Sequence, residues 1–418
     1  MRPPEQALPG PDQGLSRGGL PDQALPRWRL LLVLAPLSAF GPLSMDLYLP
    51  ALPSMARDLH AGDAAAQLTM SACMVGLATG QLLAGSLSDR FGRRRPVLIG
   101  VGLFALLSVG CALAPTMPVL IALRLLQGLA GAAGIVVARA VVRDLYEGVA
   151  AARMFSLLMV VMGAAPVLAP VFGGQLARVA SWRGQFFALA VIGALILVAT
   201  FAGLPESLPR ERRRSGGLAA TVRAFGPVLA DRRFTGFAAV LALALAAMFT
   251  YIGQGSFVLQ DGFGISAQQY SLVFAVNAAG IVVAGRTGAA LGGRVPAVRL
   301  VGAGVLASCL AAAVMLAAAS AGWGLPVILT CLFVVVASTG LIGPNATALA
   351  LGRHGTRAGT ASALLGLGQF LTGAVVAPLT SLGGATAVGM AAGILGVLLA
   401  ALLVLLLARR SGEAAADR

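Results

Sequence analysis

Apolar segments near 20 residues long recur along the whole chain after residue 28, and nothing else in the sequence restricts the fold as much. A helix of that length crosses the roughly 30 Å hydrocarbon core of a bilayer. The windows lie at 29–56, 66–87, 97–115, 118–141, 154–177 and 184–204, then at 234–257, 269–291, 297–319, 324–350, 358–381 and 384–408. Only 11% of the 418 residues are charged and 58% are hydrophobic, whereas charged residues make up about a quarter of a soluble domain. A membrane β-barrel would need alternating segments of about ten residues, and these are absent. The expected fold class is therefore an all-α polytopic membrane protein with twelve transmembrane helices in two pseudo-symmetric six-helix bundles.

The division into halves follows from where polar residues collect. Residues 1–27 are rich in Pro, Gly, Gln and Arg, lack any period, and read as a disordered cytoplasmic tail. The apolar run from Trp28 is too long for a signal-peptide core and no small-residue cleavage site follows it, so it is read as a retained first span. Residues 28–204 form the first bundle and 234–408 the second. Between them, 205–233 is a polar cytoplasmic linker carrying Arg210, Arg212, Arg213, Arg214, Arg223, Arg232 and Arg233. Residues 409–418 are a short cytoplasmic tail. A faint repeat supports two related halves: Phe91-Gly-Arg-Arg-Arg-Pro-Val-Leu-Ile-Gly has a degenerate echo at Gly292-Gly-Arg-Val-Pro-Ala-Val-Arg-Leu-Val-Gly.

The net charge of +15 comes from 30 Arg, with no Lys. In a soluble protein this would suggest nucleic-acid binding, but here the arginines alternate with apolar spans and set topology. With both termini in the cytoplasm, 26 of the 30 fall in tails, cytoplasmic loops or the adjoining helix ends. Arg57, Arg178 and Arg183 lie on the opposite side, and Arg124 lies within a span. Cys73, Cys111, Cys309 and Cys331 sit inside apolar spans without paired spacing, so neither a disulfide nor a metal site is expected. His60 and His354 stand alone in loops and read as surface residues.

Fourteen of the 15 acidic residues fall in tails, loops or near a membrane edge, and Asp46 does not. A carboxylate within a span costs several kcal/mol unless it faces water or a partner, so function is the default reading. Asp46 lies about 16 residues past Leu30, hence roughly 24 Å along the first helix, and Arg124 about six residues, roughly 9 Å, below the outer end of the fourth. In a core about 30 Å thick, the spacing permits the two to face one cavity at similar height, without showing that they touch. Burial favours the neutral carboxyl and a nearby guanidinium favours the ionised one; balanced between them, Asp46 can take up and release a proton. Other polar residues inside spans, Tyr48, Gln127, Tyr251, Gln254, Asn277, Asn345 and Gln369, are candidates for the cavity lining. Asn345-Ala-Thr matches a glycosylation sequon but lies in a span and is set aside.

Two further stretches stand out. Gly85-Ser-Leu-Ser-Asp-Arg-Phe-Gly-Arg-Arg-Arg-Pro-Val-Leu packs charge into one loop between spans, which must be a water-side turn. Gly85 is expected to let its helix approach a neighbour, and Gly92 to allow a tight turn. Asp89 is placed to face the helix N-terminus near Gly359, and Asp144 to pair with Arg93 or Arg94. Together with Arg90 these residues are read as a cytoplasmic latch, closed in the outward-facing state. The second stretch, Gly163-Ala-Ala-Pro-Val-Leu-Ala-Pro-Val-Phe-Gly-Gly, puts Gly163, Pro166, Pro170, Gly173 and Gly174 in one span, expected to be bendable and closely packed.

These motifs together resemble the major facilitator superfamily. The 85–98 loop resembles its signature loop between helices two and three. Arg124-Leu-Leu-Gln-Gly resembles the helix-four motif of its drug/proton antiporters, and Pro166–Gly174 resembles their helix-five motif, with Ala169 in place of the usual glycine. Asp46-Leu-Tyr-Leu-Pro-Ala-Leu-Pro, Arg139-Ala-Val-Val-Arg-Asp, Leu204-Pro-Glu-Ser-Leu, Phe257-Val-Leu-Gln and Gly359-Thr-Ala-Ser-Ala-Leu-Leu-Gly are similar to the Bcr/CflA (bicyclomycin-resistance) branch. The resemblance implies a monomeric inner-membrane exporter that exchanges a drug-like or metabolite substrate for protons, with Asp46 as the proton and substrate carboxylate, Arg124 tied to coupling, and Asp89 and Arg93 in the gate. Export of an endogenous metabolite, such as an amino acid or siderophore-like compound, is the competing reading, and proton-symport uptake a weaker one. An enzyme is not expected, since no metal cluster, nucleophile–base pair or nucleotide loop is present, and no cofactor is implied. A sensor would need a sizeable water-soluble domain, which the sequence lacks. Besides substrate and protons, the lipid bilayer is the only partner implied.

Overall fold

A computed structural model describes residues 27–213, 218–352, 354, 358–381 and 383–416. The described residues form helices joined by short turns, with no strand among them. The first part comprises α1 (Arg27–Ser38), α2 (Phe40–Asp46), α3 (Leu52–Asp58), α4 (Asp63–Phe91), α5 (Arg94–Ala112), α6 (Met117–Leu145), α7 (Gly148–Leu176) and α8 (Trp182–Gly203). After α9 (Leu218–Leu229) come α10 (Arg232–Phe257), α11 (Ala267–Leu291), α12 (Ala297–Ser320), α13 (Leu325–Leu351), α14 (Ala358–Leu379) and α15 (Ala387–Ala416). Among the described residues eleven helices are each long and apolar enough to cross a membrane, and the run from Leu30 to Asp58 makes a twelfth, bent span. The exposed surface agrees: Leu106, Val198 and Phe201 are each 66% exposed, while Arg124 is 0% exposed. Apolar side chains outside and a charge within is the arrangement hydrocarbon selects.

The first span departs from the continuous helix expected over 29–56. It bends by 43° between Leu30–Ser38 and Phe40–Asp58, and a 3-10 turn at Leu49–Ala51 interrupts it again. Proline explains both breaks, because it has no N–H to donate and its ring crowds the preceding turn. Pro42 lies four residues past Ser38 and cannot donate to its carbonyl, so the helix breaks there, and Pro50 does the same to Asp46 at the 3-10 turn. Asp46 is the last residue of α2, so the carboxylate sits where helical hydrogen bonding stops.

The first eight helices pack into one bundle and α10–α15 into another. Close approach in the first bundle depends on glycine. A methyl group at Gly76 would strike the Leu125 carbonyl, and one at Gly128 the Cys73 carbonyl, so α4 and α6 touch backbone to backbone. The same geometry recurs in the second bundle, where Gly340 of α13 lies against the Ile281 carbonyl of α11. Gly85 is not one of these contacts; its nearest neighbour would be Val136 Cγ1 at 3.9 Å, ordinary packing. The closely packed face of α4 lies one to two turns earlier.

The expected linker is partly ordered. Within it α9 is amphipathic, burying Phe225 and Val228, three residues apart, while Val222 and Leu229 stay exposed. It lies against α4 and α14, one helix from each bundle. The expected N-terminal tail, apart from Arg27, lies outside the described residues. At the other end, helix continues through Ala416, past the tail expected from residue 409.

The two faces differ. On the arginine-poor face several hydrogen bonds join the bundles. Ser256 Oγ donates to the Leu49 carbonyl at 2.7 Å, and Gln260 Nε2 to that of Pro50 at 3.2 Å. Gln268 Nε2 donates to the Gly174 carbonyl at 2.9 Å, Ala385 N–H to Asp63 Oδ2 at 3.4 Å, and Arg57 pairs with Asp261 at 3.0 Å. On the arginine-rich face a vestibule of about 390 Å³ is lined by α4, α6 and α14.

Candidate functional site

A cavity of about 240 Å³ lies between the bundles. The first bundle contributes Asp46, Gln81, Arg139, Met162 and Pro166; the second contributes Tyr251, Asn277 and the rings of Phe249, Phe274 and Phe370. Asn277 Nδ2 donates to the Tyr251 hydroxyl at 3.0 Å, which fixes both polar tips. Asp46 is 6% exposed and makes no ion pair among the described residues. Its carboxylate faces a mostly apolar chamber.

Arg124 does not share that chamber, although the sequence spacing permits it. It is fully buried on α6, in a cage closed off from the cavity. Its Nη2 donates to the Ser44 carbonyl at 2.8 Å and its Nη1 to Gln127 Oε1. The guanidinium lies 4.6 Å from the Tyr48 ring centroid and 5.6 Å from that of Phe186. Gln127 passes its other end to Ser108 Oγ at 2.6 Å, and the Tyr48 hydroxyl meets Thr69 Oγ1 at 3.0 Å. A buried cation without a carboxylate is tolerable here because a main-chain carbonyl, a side-chain amide oxygen and two aromatic faces surround it. The Ser44 carbonyl is in the last turn of α2, where helix ends leave acceptors unused. Arg124 therefore reaches Asp46 through the backbone of α2.

The other expected lining residues divide. Tyr251 and Asn277 line the cavity. Tyr48 and Gln127 do not, because the Arg124 cage occupies them. Gln254 is turned to Thr380 Oγ1 at 2.8 Å, and Asn345 bonds back to the Leu341 carbonyl at 2.8 Å. Gln369 is half-buried on α14 and lies outside the lining. On α7, which stays helical through both prolines, Pro166 touches the cavity. Gly173 and Gly174 admit close neighbours: a methyl group would strike the Leu47 carbonyl at the first and Ser271 Oγ at the second. Gly163 faces open space, so the expected tight packing does not extend to it.

Sequence reasoning missed Gln81 and Arg139. Both line the central cavity and also the vestibule, and no other described residue lines both. The fourth window was drawn to end at residue 141, which left Arg139 at a membrane edge; α6 continues to Leu145 and places it more than a turn inside. The signal lay in Ala138-Arg139-Ala140-Val-Val-Arg143-Asp144, where a charged pair a turn after the lone Arg139 marks the true helix end.

The vestibule is bounded by the charged loop. Gly92 has φ +90°, a left-handed conformation that ends α4, and a side chain there would strike Glu206. Arg93 holds the turn together. Its Nε donates to Asp144 Oδ2 at 2.8 Å, and its Nη1 to Asp89 Oδ1 at 2.6 Å and Ser88 Oγ at 2.9 Å. Its main-chain N–H donates to Glu206 Oε1 at 2.7 Å, and Ser207 Oγ to Asp144 Oδ2 at 2.9 Å. Burial alone would make the guanidinium easier to deprotonate, but the hydrogen bonds from Asp144 and Asp89 outweigh it and raise its pKa. Arg94 instead reaches the Phe201 carbonyl at 2.8 Å. Arg90 is exposed over the Phe91 ring and takes no part. Asp89 lines the vestibule with Gly359 and Ser362, but its bond goes to Arg93. The whole cluster lies between Ser88 and Ser207, within one bundle and its outgoing segment, and it is formed while the arginine-poor face is tied shut. Its closure is thus not confined to a state open on that face.

His354 is not alone. Its Nε2 lies 3.0 Å from Asp231 Oδ2, and its ring stands edge-on to Phe234 at 5.4 Å. All four cysteines are buried and free, and no group of His, Cys, Asp or Glu among the described residues could hold a metal ion.

The profile described as Major Facilitator Superfamily matches residues 34–378. The chain is 38% identical over 368 residues to the uncharacterized MFS-type transporter YdgK of Bacillus subtilis, covering 88% of this chain and 92% of that protein. It is 31% identical over 342 residues to multidrug resistance protein MdtL of Escherichia coli, covering 82% and 85%. It is 28% identical over 352 residues to a bicyclomycin resistance protein homolog of Haemophilus influenzae, covering 84% and 88%. Among solved structures, a bacterial homolog of the human lysosomal transporter Spinster, inward-facing and unoccupied, aligns with a TM-score of 0.72 at 18% identity, covering 92% of this chain and 96% of that one. At that identity the likeness establishes the fold.

Proposed function

Because this chain belongs to the major facilitator superfamily and is a multi-pass membrane transporter of small molecules, we propose that it is a proton-coupled drug efflux antiporter working by alternating access. The observation that carries this reading is Asp46, a carboxylate without an ion pair among the described residues, facing a chamber lined by both bundles. In such a place the neutral form persists until a substrate or water reaches it. Substrate arriving from the vestibule displaces the proton from Asp46. Once the bundles rock about the cavity, substrate leaves and a proton from the other side returns. Relatives named for multidrug and bicyclomycin resistance support a drug-like cargo. An endogenous metabolite moved by the same exchange is the alternative, and a chamber of about 240 Å³ suits compact cargo of either kind.

In this reading the arginine-rich face, with the 205–233 linker and both tails, is cytoplasmic and the membrane is the inner one. The working unit is a monomer, because one chain supplies both walls of the cavity. Arg124 acts on coupling by holding the end of α2, and the Arg93 cluster stiffens the loop at the vestibule mouth.

The test is substrate-induced proton release from purified protein over a panel of drug-like and metabolite compounds, followed by transport in proteoliposomes under an imposed pH gradient. Wild type is expected to release protons with at least one compound, and Asp46→Asn to release none. Full proton-driven transport by Asp46→Asn would rule the reading out.

A further inference from the structure

Among the described residues Arg139 is the one cation on the wall of the central cavity, and the proposed mechanism makes no use of it. It stands on α6 at the boundary between chamber and vestibule, which it shares with Gln81. Its charge is not spent within the protein. Among the described residues Arg139 forms no ion pair, its Nε is buried without a hydrogen-bond partner, and its Nη2 contacts only the Met162 sulfur at 3.6 Å. Arg93 in the same vestibule is fully engaged by Asp89 and Asp144. Arg143, one turn beyond Arg139, adds a second charge of the same sign to the approach. A substrate coming through the vestibule passes a mouth of mixed charge, where Asp89 and Asp144 offset Arg93 and Arg143 stands beside them, then meets the unpaired Arg139 and last the lone carboxylate.

A simple cation is repelled at Arg139 before it reaches Asp46, and a simple anion gains nothing at Asp46. A molecule carrying both charges satisfies both groups. We propose that the cavity selects compact zwitterions, with Arg139 as the specificity-determining residue that binds the anionic group while the cationic group replaces the proton on Asp46. The apolar rings of Phe249, Phe274 and Phe370 then hold the body of the molecule. This rests on the antiport reading for the proton at Asp46, but the binding claim stands apart from it. A charge consequence follows. A zwitterion carries no net charge outward while one proton moves inward, so each exchange transfers one positive charge, whereas exchange of a monocation for one proton transfers none.

The experiment uses matched triads built on phenylalanine and on tryptophan: the free amino acid, its methyl ester (cation) and its N-acetyl derivative (anion). Binding is read as thermal stabilisation of the purified full-length protein, and proton release is recorded separately. The amino acids are expected to stabilise wild type more than either partner of the triad. Arg139→Gln is expected to weaken amino-acid binding about tenfold or more, the loss of a charge-assisted contact, and to shift preference to the esters. Arg139→Lys, which keeps the charge, is expected to preserve the preference. In proteoliposomes a membrane potential alone should drive amino-acid exchange. Equal or better stabilisation by the esters in wild type, an unchanged order in Arg139→Gln, or no stabilisation by any of the six compounds would each overturn the proposal. Amino-acid binding without proton release would overturn the antiport reading and leave the zwitterion site standing.

Discussion

Arg124 donates to the main-chain carbonyl of Ser44 at 2.8 Å, two residues before Asp46. A charge on one helix thereby fixes the broken end of another, and the carboxylate rides on that end. The cage has no slack. Substituting Arg124 by Leu would leave the Ser44 carbonyl buried without its side-chain donor and Gln127 Oε1 with only the weak Cys111 thiol at 3.9 Å, at about 1–3 kcal/mol for an orphaned group. Arg124→Leu should therefore lower the thermal unfolding midpoint in detergent markedly. Arg124→Lys should recover part of it, because a single ammonium cannot reach both acceptors in the same fork-like geometry. An unchanged midpoint in Arg124→Leu would contradict this role for the cage.

Glycines of one motif should behave in opposite ways. Gly163→Ala meets open space and is expected to leave folding and transport near wild type. Gly173→Ala drives a methyl group into the Leu47 carbonyl, and is expected to cut the yield of monodisperse protein, since overpacking costs about 1–3 kcal/mol or more where backbone must shift. Size-exclusion profiles of the two variants make the comparison.

At the start of α10, Asp231 accepts the Arg233 N–H at 2.8 Å and faces His354. Burial alone would raise the pKa of its carboxyl, but the N–H groups of Arg233 and Phe234 and the His354 ring hold it below its ordinary 3.8. A depressed carboxylate stabilises the fold above its unfolded pKa and loses that contribution as pH falls through the folded one. Asp231→Ala should cost about 1 kcal/mol, as for a lost helix cap. The difference from wild type should be present at neutral pH and should shrink only below pH 3.8. A gap that closed near pH 7 would assign the effect to another group.

Orientation can be read with a membrane-impermeant thiol reagent in a background lacking the four native cysteines. His60→Cys, on the exposed arginine-poor face, should label in intact cells. Arg95→Cys, exposed beside the charged loop, should label only after the cells are opened. The reverse pattern would invert the topology.

Hydropathy made the span count and the two bundles legible, because each helix must satisfy its backbone within hydrocarbon. The charged loop was legible for the same reason, and Asp144 as a partner for Arg93 or Arg94 followed from charge, with packing choosing Arg93. Facing was not legible. Tyr48 and Gln127 are as polar as Tyr251 and Asn277, yet the first two serve a cage and the second two a cavity, and only packing distinguishes them. The breaks in the first span were encoded in Pro42 and Pro50, but hydropathy averages across them. Arg139 was lost to a boundary four residues short, and one helical turn is enough to move a charge from a membrane edge to a cavity wall.

The bonds that close the arginine-poor face are few, and most of their acceptors are main-chain carbonyls. Each is worth about 0.5–1.5 kcal/mol net, and the exposed Arg57–Asp261 pair adds little. A single charge falling through 100 mV releases about 2.3 kcal/mol. The clasp and one elementary charge step are thus of the same order. A closure of that strength holds water out between turnovers, yet a gradient of ordinary size can undo it, and because water can replace each donor as it leaves, no carbonyl is stranded on the way.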